Sequence, residues 1–457
     1  MAKLWGSRFN KGTDALADGF SFSIGYDWRL AKYDVQASIA HARMLGKCGI
    51  IPKEDAARLA SGLRKIAGQI AKGTFKFDTK AEDVHTNIQS ALKKFIGPAA
   101  DKLHTARSRN DLIALDMKLY CLDESKQIID LIALVQKAVV QFADKNKDVI
   151  IPAYTHLQSA QVVLLAHHML AYVEMLERDK ARIYGTIKRT AVMPLGSCAL
   201  SGTTLPIDRN FVAKQLGFKQ VTANSMDSVS DRDFIVEALS DIAVLGMHCS
   251  RVAEDIILWA TREFNFVDID WALCTGSSIM PHKKNPDILE LIRGATANLY
   301  GNLNEVLVLM KGLPLTYNRD MQLDKPPLFE SVEKIKDILG LLTRLFVGLK
   351  VKEKIIAERI YDEAFFSVDV MEYLIKKGVS YRQAHDTVGT MIKECADKGK
   401  KIAELNLAEL KSYSSSFGVN VKALLDPKVS VSNKKSLGST NPTLVRREIE
   451  RWKKLLR

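Results

Sequence analysis

From Ala99 to Ile151 the chain contains neither glycine nor proline, and the same holds from Ala153 to Tyr184. Stretches this long without a breaker exceed the usual strand of ~5–6 residues many times over. They point to helices. Within 112–148, LIALDMKLYCLDESKQIIDLIALVQKAVVQFADKNKD, apolar residues recur at spacings of three and four. Leu112, Leu115, Leu119 and Leu122 form one stripe, and Leu131, Val135 and Phe142 belong to a second. Similar patterns fill 232–260, 287–311 and 328–377, while alternating runs of valine, isoleucine and threonine are nearly absent. The expectation is an all-α chain whose longest helices reach several tens of ångströms at ~1.5 Å per residue. Long helices that are apolar on more than one face need neighbours on more than one side, which favours a bundle, and completion by other subunits is a natural extension.

Boundaries fall near Asn110, before the first long helix, and near Tyr361, after the last. The reading is therefore a mostly helical N-terminal domain (1–110), a central long-helix domain (111–360) and a small helical C-terminal domain (361–457). The tail from Asp426, DPKVSVSNKKSLGSTNP, is rich in Ser, Lys and Asn and reads as a loop before a short terminal helix.

Composition narrows the function classes. A 47% hydrophobic and 26% charged chain of 457 residues describes a globular protein with a large core. No apolar run approaches the ~18–20 residues of a bilayer span, so no membrane association is expected. The start, MAKLWGSRFNKGTD, lacks the apolar centre of a signal peptide, which makes the cytoplasm the expected location. Six scattered cysteines without a CxxC pair suggest free thiols. The net charge of +13 is spread among 53 acidic residues rather than gathered into a block. That distribution suits a small anionic substrate better than nucleic acid, and no nucleic-acid partner is expected.

Four polar constellations stand out. Residues 276–287, GSSIMPHKKNPD, place two serines beside two lysines, with Pro281 preventing a helix through the middle. Asn285-Pro286-Asp287 reads as a helix start with Asn285 as cap. Lysine charge ahead of outward-pointing backbone N–H groups makes an anion site, and would also lower a serine's pKa. A solvated or phosphate-binding loop is the plainer reading of the same residues. In HTARSRND, 104–111, Arg107 and Arg109 offer two guanidinium forks for carboxylates, or else a charged helix start with Asp111 as partner. In YTHLQSAQ, 154–161, His156 follows Thr155 at the mouth of a long helix and suits proton transfer, with Glu290 a candidate to orient it. YNRDMQLDK, 317–325, gathers Tyr317, Arg319, Gln322 and Lys325 into one clamp-like run. There is no HExxH, Walker loop, GxGxxG or GxSxG, so neither metal nor cofactor is expected.

These residues carry a resemblance. GSSIMPHKKNPD resembles the signature loop of the fumarase/aspartase superfamily, and its KKNPD ending looks like the argininosuccinate lyase branch. The segments KLWGSRF (3–9), EDVHTNI (82–88), HTARSRND, YTHLQSAQ, GTTLPIDR (202–209), NSMDSVSDRDF (224–234), LIRG (291–294) and YNRDMQLDKPPLFES (317–331) resemble it in order. The resemblance implies three mostly helical domains, a homotetramer with active sites shared between subunits, and cofactor-free cleavage of argininosuccinate to arginine and fumarate. It also implies roles. Ser277 would abstract the proton, His156 would assist with Glu290 orienting it, and Lys283 would hold the developing charge. Ser23, Asn110, Thr155, Asn285, Tyr317, Gln322 and Lys325 would contact substrate, as would Arg109 and His85.

Departures from the branch are Ala106 for glycine, Leu112 for glutamine, His282 for glutamine, Val162 for proline, Leu323 for glutamate, Ser439 for glycine and Lys434 for arginine. Leu112 and Leu323 each exchange a polar group for an apolar one close to the expected site. They keep open a related fumarate-forming lyase with another succinyl-amine substrate. A catalytically inactive structural homologue is the remaining alternative.

Overall fold

The computed structural model describes residues 14–457. The KLWGSRF segment and the N-terminal stretch weighed as a signal peptide fall on or across residues 1–13, outside the described residues. The first long helices are α1 (Ala31–Lys47), α2 (Lys53–Ala71), α3 (Val84–Ile96) and α4 (Arg109–Lys145). After a hairpin of β1 (Ile150–Thr155) and β2 (Gln158–Leu164) come α5 (Leu165–Thr190), α6 (Asp233–Ala260), α7 (Asp287–Met310) and α8 (Lys325–Gly348). Shorter helices and 3-10 turns fill the remainder, ending in α9 (Pro442–Leu455). Among the described residues, strands occur only as three two-stranded pairs. The all-α expectation holds.

The 37 residues of α4 extend for about 55 Å. Leu112, Leu115 and Leu119 are buried along it, as are Val135 and Phe142, while Leu122 and Leu131 are half-buried. No helix among the described residues is long and apolar enough to cross a membrane.

The chain divides into two compact units, neither continuous in sequence. The first comprises residues 1–129, 179–244 and 297–335; the second comprises 130–178, 245–296 and 336–457. In the first, α1, α2 and α3 pack through Leu45, Leu59, Leu63, Ile66 and Leu92, all essentially inaccessible to solvent. Two glycines permit the close approach: a Cβ on Gly46 would lie 2.5 Å from the Ala56 Cβ, and one on Gly62 would lie 2.6 Å from Leu92. The second unit contains a small core of its own, built from Val370, Leu374, Val388, Met391, Leu410, Phe417 and neighbours.

Three local expectations are corrected. The breaker-free stretch from Ala153 is not helical throughout. Residues 150–164 form an antiparallel hairpin in which Thr155 pairs with Gln158 across a two-residue turn, and α5 starts only at Leu165. The pattern over 328–377 is broken after Gly348, where the chain passes so close that a Cβ would meet the Asp270 side chain at 3.2 Å. There Lys350–Val351 pairs with Val267–Asp268 before short helices resume. The tail from Asp426 opens as a helix, Pro427–Asn433, because the Asp426 carboxylate caps the N–H groups of Lys428 and Val429 and Pro427 suits the first turn. Only the segment after Asn433 is loop, before α9.

Candidate active site

Seven of the substrate contacts implied by the resemblance line one cavity of about 130 Å³ in the first unit: Ser23, His85, Arg109, Asn110, Tyr317, Gln322 and Lys325. They come from segments separated by up to three hundred positions, so tertiary structure brings them together. Asp27, Leu30, Glu82, Asp83, Ile113 and Arg319 complete the wall. Most of the polar groups are already tied down. Ser23 donates to Asp27 at 2.6 Å, and Asp27 also accepts from the Val84 N–H, which holds α3 at its first turn. Burial pushes the Asp27 carboxyl up to about 6. Arg109 reaches Glu82, Asp83 and Thr86 at 3.3, 3.2 and 2.9 Å. Gln322 and Arg319 both donate to the Ser21 carbonyl at 2.9 Å, and Asn110 donates to the Ala199 carbonyl at 3.1 Å.

Lys325 is 3% exposed and donates to Asp324 at 3.0 Å. On the far side Asp324 accepts from Arg232 at 2.5 Å, with both side chains sealed from solvent. Arg232 lies in the NSMDSVSDRDF match, but nothing in its spacing announces this role. The triad carries one net positive charge, so Asp324 does not cancel the cation facing the cavity.

Two expectations for HTARSRND change. Arg107 is half-buried, donates to Ser38 at 2.8 Å and is not part of the cavity wall. Asp111 is not the partner of Arg109. It accepts the N–H groups of Ser108, Gly196 and Cys198, and burial pushes its carboxyl up to about 6 despite those three bonds.

The second unit holds Thr155, His156, Ser277, Lys283, Asn285 and Glu290. His156 and Leu157 form the turn between β1 and β2, with φ of 56° and 57°. A two-residue turn with both residues left-handed is normally Asn-Gly or Asp-Gly. Here it lifts the imidazole to the exposed tip of a hairpin. Among the described residues no hydrogen bond or ion pair joins His156 to Glu290.

The serine-lysine loop is closed at its neck. Thr275 and Asn285 exchange backbone hydrogen bonds at 3.1 and 2.8 Å, and the Thr275 hydroxyl donates to Asp287. Asn285 is therefore the neck and not the helix cap. Pro286 takes that place, its carbonyl accepting from Glu290 N–H at 3.2 Å. The two lysines differ. Lys284 bonds Asp268 at 3.0 Å and lies 4.4 Å over the Trp271 ring, so it secures the loop. Lys283 is exposed and makes no ion pair among the described residues. Within the loop, Ser277 Oγ accepts from the N–H groups of Ile279 and Met280 at 3.3 and 3.0 Å. Two donors aimed at one hydroxyl oxygen favour it as an anion.

The departures also find places. Ala106 has a φ of 56°, the left-handed conformation that explains a glycine there. Leu112 is 1% exposed and is not part of the cavity wall, which Ile113 reaches instead. Leu323 is 53% exposed and is not part of the cavity wall. Val162 is buried opposite Pro152 in the hairpin, and Lys434 retains a cationic partner for Asp369 at 2.7 Å. His282 is exposed, and nothing in the structure explains its exchange.

Comparison with known proteins bears on the family and the fold. Residues 7–301 match the lyase family model, and 366–432 match the argininosuccinate lyase C-terminal model. Argininosuccinate lyase from Symbiobacterium thermophilum is 46% identical over 98% of this chain and 97% of its own. The enzyme from Geotalea daltonii is 47% identical over 98% of both. Among solved structures, EDDS lyase in complex with formate superposes with a TM-score of 0.84 at 26% identity, covering 98% of this chain and 91% of that one. Sequence relatives over almost the full length, a matching C-terminal model and a shared helical fold place the chain in the argininosuccinate lyase family of the fumarase/aspartase superfamily.

Proposed function

We propose that this protein is a carbon–nitrogen lyase that cleaves argininosuccinate to arginine and fumarate, a step of arginine biosynthesis, without a cofactor. The observation that carries the reading is Ser277 Oγ receiving two backbone N–H donors in a loop that also presents the unpaired charge of Lys283. Ser277 as alkoxide removes the proton beside a substrate carboxylate. The electron pair passes into that carboxylate, giving a doubly charged intermediate that Lys283 and Asn285 stabilise, and then expels the nitrogen as the C–N bond breaks. His156 assists proton transfer, with Glu290 orienting the ring and Thr155 binding substrate beside it. Ser23, His85, Arg109, Asn110, Tyr317, Gln322 and Lys325 hold the substrate.

The three-domain division at about Asn110 and Tyr361 belongs to the same reading, as does a cytoplasmic homotetramer. Both sets of site residues would then meet across subunits, and His156 would find Glu290 there. Exposed apolar side chains on the long helices, Leu291, Tyr300, Leu307 and Val308, support such an assembly. The experiment is to mix the purified protein with argininosuccinate and follow fumarate by ultraviolet absorbance, with arginine measured in parallel. Equal release of both is expected. Silence from a correctly assembled tetramer, with turnover of another succinyl-amine, would instead assign a different leaving group.

A further inference from the structure

Behind the cavity wall, His85 belongs to a buried ionic layer whose other members, Asp34 and Asp116, the proposed reaction does not use. His85, on the first turn of α3, lines the cavity, and its Nδ1–H donates to Asp34 of α1. Asp34 is 2% exposed and also accepts from Ser38 at 3.1 Å, and Ser38 in turn accepts from Arg107 at 2.8 Å. A third group closes the cluster: Asp116 of α4, with Oδ2 4.0 Å from His85 Nδ1 and no solvent exposure. Neither Asp116 oxygen has a hydrogen-bond partner among the described residues. A carboxylate sealed from water without one donor is a costly state, and a neutral acid is the cheaper one. A cation is a poor occupant for these three groups, because Arg107 and Lys325 already act on Asp116.

We propose that Asp34 is a positioning residue for His85, holding the ring doubly protonated so that Nε2–H donates from the cavity wall to a substrate carboxylate. The inference rests on the lyase reading. Asp116 keeps its own proton and takes no part. The remaining titratable or charged groups around the ring are Asp83 at the cap of α3, Asp27, His104, and Arg107 and Arg109 at the start of α4. Burial opposes charge on His85, and Asp34 more than reverses it. Burial likewise opposes charge on Asp34, and His85 and Arg107 hold its carboxyl below the usual range. For Asp116, burial and the nearby Asp34 both act upward.

The test measures fumarate affinity by calorimetry and KM for argininosuccinate between about pH 6 and pH 8, spanning the ordinary histidine range. The wild-type affinity is expected to show no histidine titration assignable to His85. Asp34→Asn should weaken fumarate binding and raise KM by about 10-fold at the alkaline end, the scale of one charge-assisted hydrogen bond. Both should recover toward wild type at the acid end, where a neutral ring takes its proton from solution, while kcat changes less. Asp34→Glu should restore much of the alkaline affinity, and Asp116→Asn should keep the wild-type profile. A purely structural Asp34 would lower stability without moving the pH profile, and that result would overturn the proposal. So would an equal pH-dependent loss in Asp116→Asn, or a wild-type fall near the ordinary histidine pKa that His85→Gln abolishes. The last needs no folded Asp34 variant. A wild-type protein that neither binds fumarate nor turns over argininosuccinate would defeat the lyase reading itself, a separate failure.

Discussion

The two units contribute residues of opposite character. Those of the first are buried or half-buried and already paired: Ser23 with Asp27, Arg109 with Glu82 and Asp83, and Lys325 with Asp324 and, through it, Arg232. Those of the second sit on a pinned loop, on a hairpin tip where His156 is exposed like Lys283 of the loop, and, for Glu290, on the first turn of α7. On the proposed reading, recognition is built where charges are fixed before substrate arrives, while most of the proton chemistry is placed on turns. Pairing costs a binding group little when its partner network retains net charge. A base needs the reverse, donors for its anion and freedom from a competing partner.

The sharpest break of this contrast is Ser277→Ala. Turnover is expected to fall by about 10²–10⁴-fold, the range for a positioned base, with fumarate binding and assembly intact; retained activity would move the base elsewhere. Arg232→Met tests the other unit. Removing one partner of a buried pair should cost about 3–5 kcal/mol, read as a lower unfolding midpoint, whereas a small change would mean that the layer behind the cavity is not rigid.

A weaker effect should appear in acid. Burial first, and then the Arg107 charge, push the His41 imidazole down to about 3; burial and the same arginine push His104 to about 4. Below the ordinary histidine pKa of about 6.5 the unfolded chain takes up protons that the folded chain refuses. Stability from these groups is therefore present at neutral pH and declines as pH falls from there through about 4, by at most about 1.4 kcal/mol per pH unit for each. His41→Gln keeps a donor for the Thr105 carbonyl, which accepts from the ring at 2.9 Å, and should flatten that decline in melting curves taken between neutrality and pH ~4. The smallest effect belongs to Ala106→Gly. Relieving a left-handed alanine should stabilise by about 1 kcal/mol or less, after the entropy glycine loses on folding.

Much of the fold is legible in the residues alone. Helical spacing marks the long helices because apolar stripes and missing breakers act over many residues at once. Motifs single out candidate site residues, and seven of the expected substrate contacts line one cavity. The failures share a cause. The residues around His156 suggest a helix mouth because a turn of His-Leu lacks the Asn-Gly signal that announces a hairpin. Asn285 looks like a cap because Asn-Pro-Asp is good helix-start chemistry, and only its backbone pairing with Thr275 reassigns it. Asp34, Asp116, Asp324 and Arg232 leave no trace as a group, since a buried ion pair is defined by partners distant in sequence. Leu112, suspected of altering substrate choice, proves to be a core residue.

The hairpin turn has a consequence for anyone redesigning this chain. Two side-chain-bearing residues sit where glycine or asparagine would be more comfortable, each disfavoured by about 1–2 kcal/mol. An optimiser scoring stability alone would write Asn-Gly across positions 156 and 157 and obtain a firmer hairpin. It would also delete the imidazole that the proposed reaction uses, so on that reading the strain at this turn marks the position that a thermostabilised version of the protein must leave untouched.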